Sequence, residues 1–187
     1  MSKIRCFIAI DIESLPKIVE FENKIKQTDT FLKVVKPENI HITLKFLGDT
    51  EETLIDKIEE IIKNSVKGEK PFNIKLKSTG VFPNTNYIKV VWIGIEKGEK
   101  IGEIAEVIDE GLTKIGFKKE KRKFSAHLTI TRVKSAKNKD QILRIINKYK
   151  DVEFADIKIK SIKLIKSELT KSGPIYSTLK EIKIGEE

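Results

Sequence analysis

The sequence predicts an α+β fold of two lobes related by an approximate two-fold axis, each a mainly antiparallel sheet backed by helices, with a central cleft between them. Three observations predict it. Strand-like and helix-like periods alternate along all 187 residues with no low-complexity segment or Pro/Ser-rich linker, so residues 1–187 read as a single domain. The only two histidines each open the same pattern, His41-Ile42-Thr43-Leu44 and His127-Leu128-Thr129-Ile130. Their surroundings repeat as well: an apolar residue at the start of a helix, Leu15 or Ile101, precedes its histidine by 26 positions in both cases, and another helix and strand follow each motif.

Taken in order, residues 4 to 11 read as a strand, and Ser14-Leu15-Pro16 opens a helix whose Ile18, Val19, Phe21 and Ile25 recur at helical spacing. Residues 40 to 47 read as a strand. Asp49 with Glu52 predicts a capped start for the next helix, which carries the stripe Leu54, Ile55, Ile58, Ile61, Ile62 and Val66. Residues 72 to 80 and 88 to 95 form a hairpin around the turn-rich segment 82 to 86. Ile101, Ile104, Ala105, Ile108, Leu112 and Ile115 mark a third helix, residues 125 to 133 a strand, and Ile142, Leu143, Ile145, Ile146 and Tyr149 a fourth helix. Strands over 156 to 168 and 175 to 184, joined at Ser172-Gly173-Pro174, close the chain.

Composition narrows the function. No apolar stretch approaches the roughly 18 residues of a membrane-spanning helix, and Lys3, Arg5 and Asp11 crowd the short apolar opening run, so no membrane association and a cytoplasmic location are expected. The one cysteine, Cys6, sits in an alternating apolar stretch and reads as a packing residue. A net charge of +9 from 37 Lys plus Arg against 28 Asp plus Glu suits a polyanionic partner such as nucleic acid; it equally suits a surface laced with ion pairs.

On a strand, residues i and i+2 share a face. His41, Thr43 and Lys45 therefore project to one side with Ile42, Leu44 and Phe46 behind them, and His127, Thr129 and Thr131 project opposite Leu128 and Ile130. Threonine fills about one position in sixteen, so both histidines having one two places on would arise by chance about once in 250 such chains. Three polar groups in a row cost about 1–3 kcal/mol each if left unpaired in a dry core, so the expected setting is a solvated groove. Under the two-fold axis of the repeat, His41 falls on His127 and the two polar fronts face one another. One neutral and one protonated imidazole can take a proton from an attacking oxygen and give one to a departing oxygen, as phosphodiester cleavage requires, and threonine hydroxyls can hold nonbridging phosphate oxygens without adding charge. With neither a carboxylate triad nor a cysteine cluster beside the histidines, no metal and no cofactor are expected.

The paired motifs resemble the His-x-Thr-x signatures of the two-histidine phosphoesterases, in the branch of RNA 2′,3′-cyclic phosphodiesterases and 2′-5′ RNA ligases. Arg5-Cys6-Phe7-Ile8-Ala9-Ile10, Pro37-Glu38-Asn39-Ile40, Gly80-Val81-Phe82-Pro83, Val91-Trp92-Ile93-Gly94, Thr131-Arg132-Val133, Ser167-Glu168-Leu169 and Gly173-Pro174-Ile175-Tyr176 carry the same resemblance, which spans essentially the whole chain. It implies an enzyme that opens a terminal 2′,3′-cyclic phosphate on RNA, tRNA fragments included, to a 2′-phosphate. His41 would be the proton donor to the leaving 3′ oxygen and His127 the acceptor that activates water. Thr43 and Thr129 would hold the phosphate. Arg132 and Arg5 are further candidate phosphate contacts, although strict alternation from His127 puts Arg132 on the opposite face. Phe82, Tyr87 and Trp92 are candidates for base stacking. A monomer is expected. Two other readings stay open: the reverse reaction, ATP-independent 2′-5′ joining, and a noncatalytic RNA-end binder.

Overall fold

The structure is a computed structural model that describes residues 2–135 and 137–186. Strand β1 (Lys3–Asp11) shows why the chain begins as it does: Cys6, Ile8 and Ile10 enter the main core, while Phe7 and Ala9 are buried on the opposite face with Ile165. A strand apolar on both sides belongs in the middle of a sheet. β1 lies inside a four-stranded antiparallel sheet ordered β3-β1-β8-β9, with β3 at His41–Glu51, β8 at Ser161–Thr170 and β9 at Gly173–Lys183. The second sheet is ordered β2-β6-β5-β4-β7, with β2 at Leu32–Val34, β4 at Phe72–Asn84, β5 at Tyr87–Glu96, β6 at His127–Val133 and β7 at Glu153–Ile159. Its neighbours are also antiparallel.

Helices α1 (Pro16–Lys26) and α4 (Lys139–Lys148) pack on the five-stranded sheet; α2 (Ile55–Ser65) and α3 (Glu99–Lys114) pack on the four-stranded one. Most residues of the stripes read from the sequence form the buried faces: Ile18, Phe21 and Ile25; Ile58 and Ile62; Ile101, Ile104, Ala105, Ile108 and Leu112; Ile142 and Ile146; Val19, expected with the first group, is exposed. Gly111 lets α2 and α3 meet closely, because a Cβ there would lie 2.7 Å from Ile61 Cγ2. No helix among the described residues is long and apolar enough to cross a membrane. Cys6 is a buried packing residue, and burial pushes its thiol above the ordinary value against a smaller opposing effect of a Thr50 hydrogen bond.

The internal repeat takes an exchanged form. Read outward from each histidine strand, the sheets run β3, β1, β8, β9 and β6, β5, β4, β7, so the two-fold correspondence pairs β4 of the first half with β8 of the second. Each lobe therefore takes two strands and a helix from the other half of the chain: β8, β9 and α3 in one, β2, β4 and α1 in the other. Local signals missed this. The stretch predicted as one strand over 156–168 is two strands that part at Lys160 and enter different sheets. β2, at three residues, is too short to show a period. Asp49 caps no helix: β3 continues to Glu51 with Asp49 opposite Arg5, and α2 starts only after a 3-10 turn at Glu52–Leu54. The hairpin turn contracts to Thr85-Asn86, where the Asn84 carboxamide oxygen accepts the N–H groups of Asn86 and Tyr87 at 3.0 Å each.

Candidate active site

Each histidine opens its strand and is half-buried, and each is held by the same local bond. His41 Nδ1–H donates to the Asn39 carbonyl at 2.6 Å, and His127 Nδ1–H donates to the Ser125 carbonyl at 2.8 Å. A carbonyl can only accept, so both rings carry hydrogen on Nδ1 when neutral and keep the Nε2 lone pair free. The 3-10 turn Pro37–Asn39 supplies the first carbonyl, and the Asn39 side-chain amide ties that turn to β9 by donating to the Pro174 carbonyl at 3.2 Å.

Strands β3 and β6 belong to different sheets but run against one another. Their charges register it. Burial, the largest effect, pushes the His41 imidazolium below its ordinary value of 6.5; the Asn39 carbonyl and the Asp11 carboxylate oppose this, while the charges of Arg132 and His127 reinforce it. The two motif strands thus lie side by side. Thr43 and Thr129 are half-buried beside their histidines, opposite Ala9 and Trp92 in the neighbouring strands.

Both motif strands carry a β-bulge three residues after the histidine. Ile8 lies opposite Lys45 and Ala9 opposite Thr43, leaving Leu44 extra; Val91 lies opposite Thr131 and Trp92 opposite Thr129, leaving Ile130 extra. An inserted residue reverses the alternation beyond it. Lys45 and Thr131, expected on the polar front, turn inward and are buried, while Phe46 and Arg132, expected behind, turn to the histidine face and are exposed. Arg132 accordingly acts on both His41 and Tyr176. Lys45 is neither in the cleft nor solvated: its ammonium donates to Asp109 Oδ1 at 2.5 Å and to the Lys118 carbonyl at 2.9 Å.

Arg5 is exposed on the face of β1 that also carries Phe7 and Ala9, and its charge acts on Tyr176. Tyr176 itself was not singled out from the sequence. Its ring stands edge-on to His41 at 5.6 Å and to Phe7 at 5.0 Å, and Phe7 lies 4.9 Å from His41. Burial pushes its phenol above the ordinary value against the charges of Arg132 and Arg5. The signal available was the Gly173-Pro174-Ile175-Tyr176 stretch, but only the long-range pairing of β9 brings it to β3. His41, Asp11, Asn39, Tyr176 and Thr178 line a cavity of ≈ 140 Å³.

Of the three stacking candidates, Phe82 stands edge-on to His127 at 5.0 Å and Trp92 lies 5.3 Å from Phe82. Gly80 makes room for that arrangement, since a Cβ there would fall 2.2 Å from Trp92 Cζ2. Tyr87 sits at the hairpin end, with the Lys89 ammonium 5.0 Å from its ring centroid. Among the described residues no group of three or more His, Cys, Asp or Glu side chains is placed to hold a metal ion.

A family model described as the AKAP7 2′5′ RNA ligase-like domain matches residues 7–184. The chain is 47% identical over 180 residues to the RNA 2′,3′-cyclic phosphodiesterase of Methanocaldococcus jannaschii, covering 95% of this chain and 99% of that one. It is 35% identical over 184 residues to the protein of the same name from Methanothermobacter thermautotrophicus, covering 97% and 100%. Among solved structures, TT0787 of Thermus thermophilus superposes with a TM-score of 0.81 at 24% identity, covering 97% of this chain and 98% of that one. E. coli LigT complexed with 3′-AMP does so at 0.75 and 18%, with full coverage of both, and these two neighbours speak to the fold alone. The chain belongs to the 2′-5′ RNA ligase-like family of two-histidine phosphoesterases.

Proposed function

We propose that this protein is a metal-independent RNA 2′,3′-cyclic phosphodiesterase that opens the cyclic phosphate at an RNA end, tRNA fragments included, to a 2′-phosphate. It acts as one bilobal domain, as a monomer, in the cytoplasm. The observation that carries the reading is the shared construction of the two motif strands: the same Nδ1 lock leaves both Nε2 atoms free, and the same bulge position brings Arg132 to the histidine face. The names of the relatives support the same chemistry.

In this mechanism His127 Nε2 takes a proton from water as the water oxygen bonds to phosphorus. His41, protonated on Nε2, gives its proton to the 3′ oxygen as the P–O3′ bond breaks. The products are a 2′-phosphomonoester and a 3′-hydroxyl. Thr43 and Thr129 donate to the nonbridging oxygens, while Arg132 and Arg5 offset the charge that builds on them. His41 enters with a depressed affinity for its proton, and the negative charge of a bound phosphodiester raises that affinity toward what a donor needs.

Incubation with a nucleoside 2′,3′-cyclic phosphate in EDTA tests the proposal. The expected product is the 2′-phosphate, and His41→Ala and His127→Ala each lower turnover by about 10²-fold or more without loss of fold. A 2′-5′-linked product would make the protein a ligase; recovered starting material would make it an RNA-end binder; wild-type turnover in either variant would remove that histidine from the chemistry.

A further inference from the structure

A cavity of ≈ 620 Å³ lies apart from the histidine cleft. It is a groove between the far half of β3, Phe46 to Glu51, and the segment 115–121 that follows α3. Its two walls have different chemistry. Phe46, turned outward by the bulges on either side of it, is 66% exposed. Lys118-Lys119-Glu120-Lys121 also line it; they are exposed, as are Arg122 and Lys123 that follow, and the segment leads through Phe124-Ser125-Ala126 directly into His127. Asp49 and Glu51 also line the groove, Asp49 opposite Arg5 in the β1–β3 ladder.

The basic segment is anchored by its backbone. The Lys45–Asp109 pair is buried; Lys45 also holds the Lys118 carbonyl, and the Asp109 carboxylate accepts the Glu120 N–H at 3.0 Å. Burial pushes the Asp109 carboxyl up, but the Lys45 ammonium and the Glu120 amide outweigh it and hold the group below its ordinary value. With the backbone fixed, the side chains stay available. Elsewhere Lys63, Lys75, Lys77, Lys100, Lys163 and Lys180 pair with carboxylates, although most other lysines among the described residues do not. Among the described residues, Lys119, Lys121, Arg122 and Lys123 have no carboxylate within 4.0 Å. The groove lies near the cleft: the Phe46 ring is 6.1 Å from Phe7, whose ring is 4.9 Å from His41.

We propose that this groove binds the single-stranded RNA that lies 5′ of the terminal cyclic phosphate, with a base stacked on Phe46 and the phosphodiester backbone following the cations of residues 118–123. An exposed aromatic ring beside a fixed row of cations is the construction that suits a flexible polyanion with stackable bases. The inference rests on the proposed function for its substrate, and it adds that the enzyme prefers an RNA strand to a mononucleotide.

The test compares kcat/KM on a nucleoside 2′,3′-cyclic phosphate with that on an octaribonucleotide ending in the same group. Wild type favours the oligonucleotide, and that preference weakens with salt. The double variant Lys119→Glu/Lys121→Glu, and separately Phe46→Ala, lose about tenfold or more on the oligonucleotide while staying within about twofold on the mononucleotide, and the double variant's salt slope shrinks. Equal losses on both substrates, or none on either, overturn the groove. If wild type turns over neither substrate, the proposed function fails instead. Fluorescence anisotropy of the labelled oligonucleotide then decides: a tenfold weaker Kd in the variants supports the groove, and an unchanged Kd overturns it.

Discussion

At the scale of single residues, the two histidines are built alike. Both give their Nδ1 hydrogen to the carbonyl two residues back, but His41 is pushed below its ordinary value by burial, with Asp11 pulling the other way. That carboxylate separates the two proton-transfer roles. If His41 is the donor, Asp11→Asn makes its proton easier to lose, so kcat/KM falls several-fold on the alkaline side of the pH profile and holds on the acid side. The opposite pattern, a gain on the acid side with the alkaline side unchanged, would make His41 the acceptor. The histidines and threonines were legible in the sequence because their pattern occurs twice. Lys45 and Arg132 were not, because their faces depend on an inserted residue that only the register with a neighbouring strand reveals. Tyr176 was hidden for the related reason that its partners lie far away in the chain.

At the scale of the element, the bulge has a cost that can be measured. It turns Thr131 into the core, where the residue is 0% exposed and its hydroxyl has no partner among the described residues. An unpaired buried hydroxyl destabilises by about 1–3 kcal/mol, whereas a methyl of the same shape belongs in that space. Thr131→Val is therefore expected to raise Tm by about 2–4 °C per kcal/mol recovered while kcat/KM stays within about twofold; a lower Tm in thermal unfolding would mean the hydroxyl is satisfied. Helices were legible over most of their length, since a stripe such as Ile101 to Leu112 is set by its own period. Strand ends were less so. β3 outruns its predicted end because the ladder with β1 continues past Phe46, and the stretch over 156–168 divides because Lys160 passes between sheets, neither of which leaves a turn residue in the sequence.

At the scale of the molecule, a doubled motif announced two related lobes, but periodicity could not say which strands each lobe would own. The answer follows from pairing: β1 lies against β8, and β4 against both β5 and β7. Cutting the chain in the turn after β4 leaves the first piece with β4 stripped of both partners and the second with β8 missing β1. Residues 1–85 and 86–187, produced separately, are each expected to lack a cooperative thermal transition and to regain one on mixing; a cooperative transition in either alone would contradict the exchange. Two bodies sewn together by strands that pass in both directions are joined by more than a single strap, so neither can complete its sheet without the other.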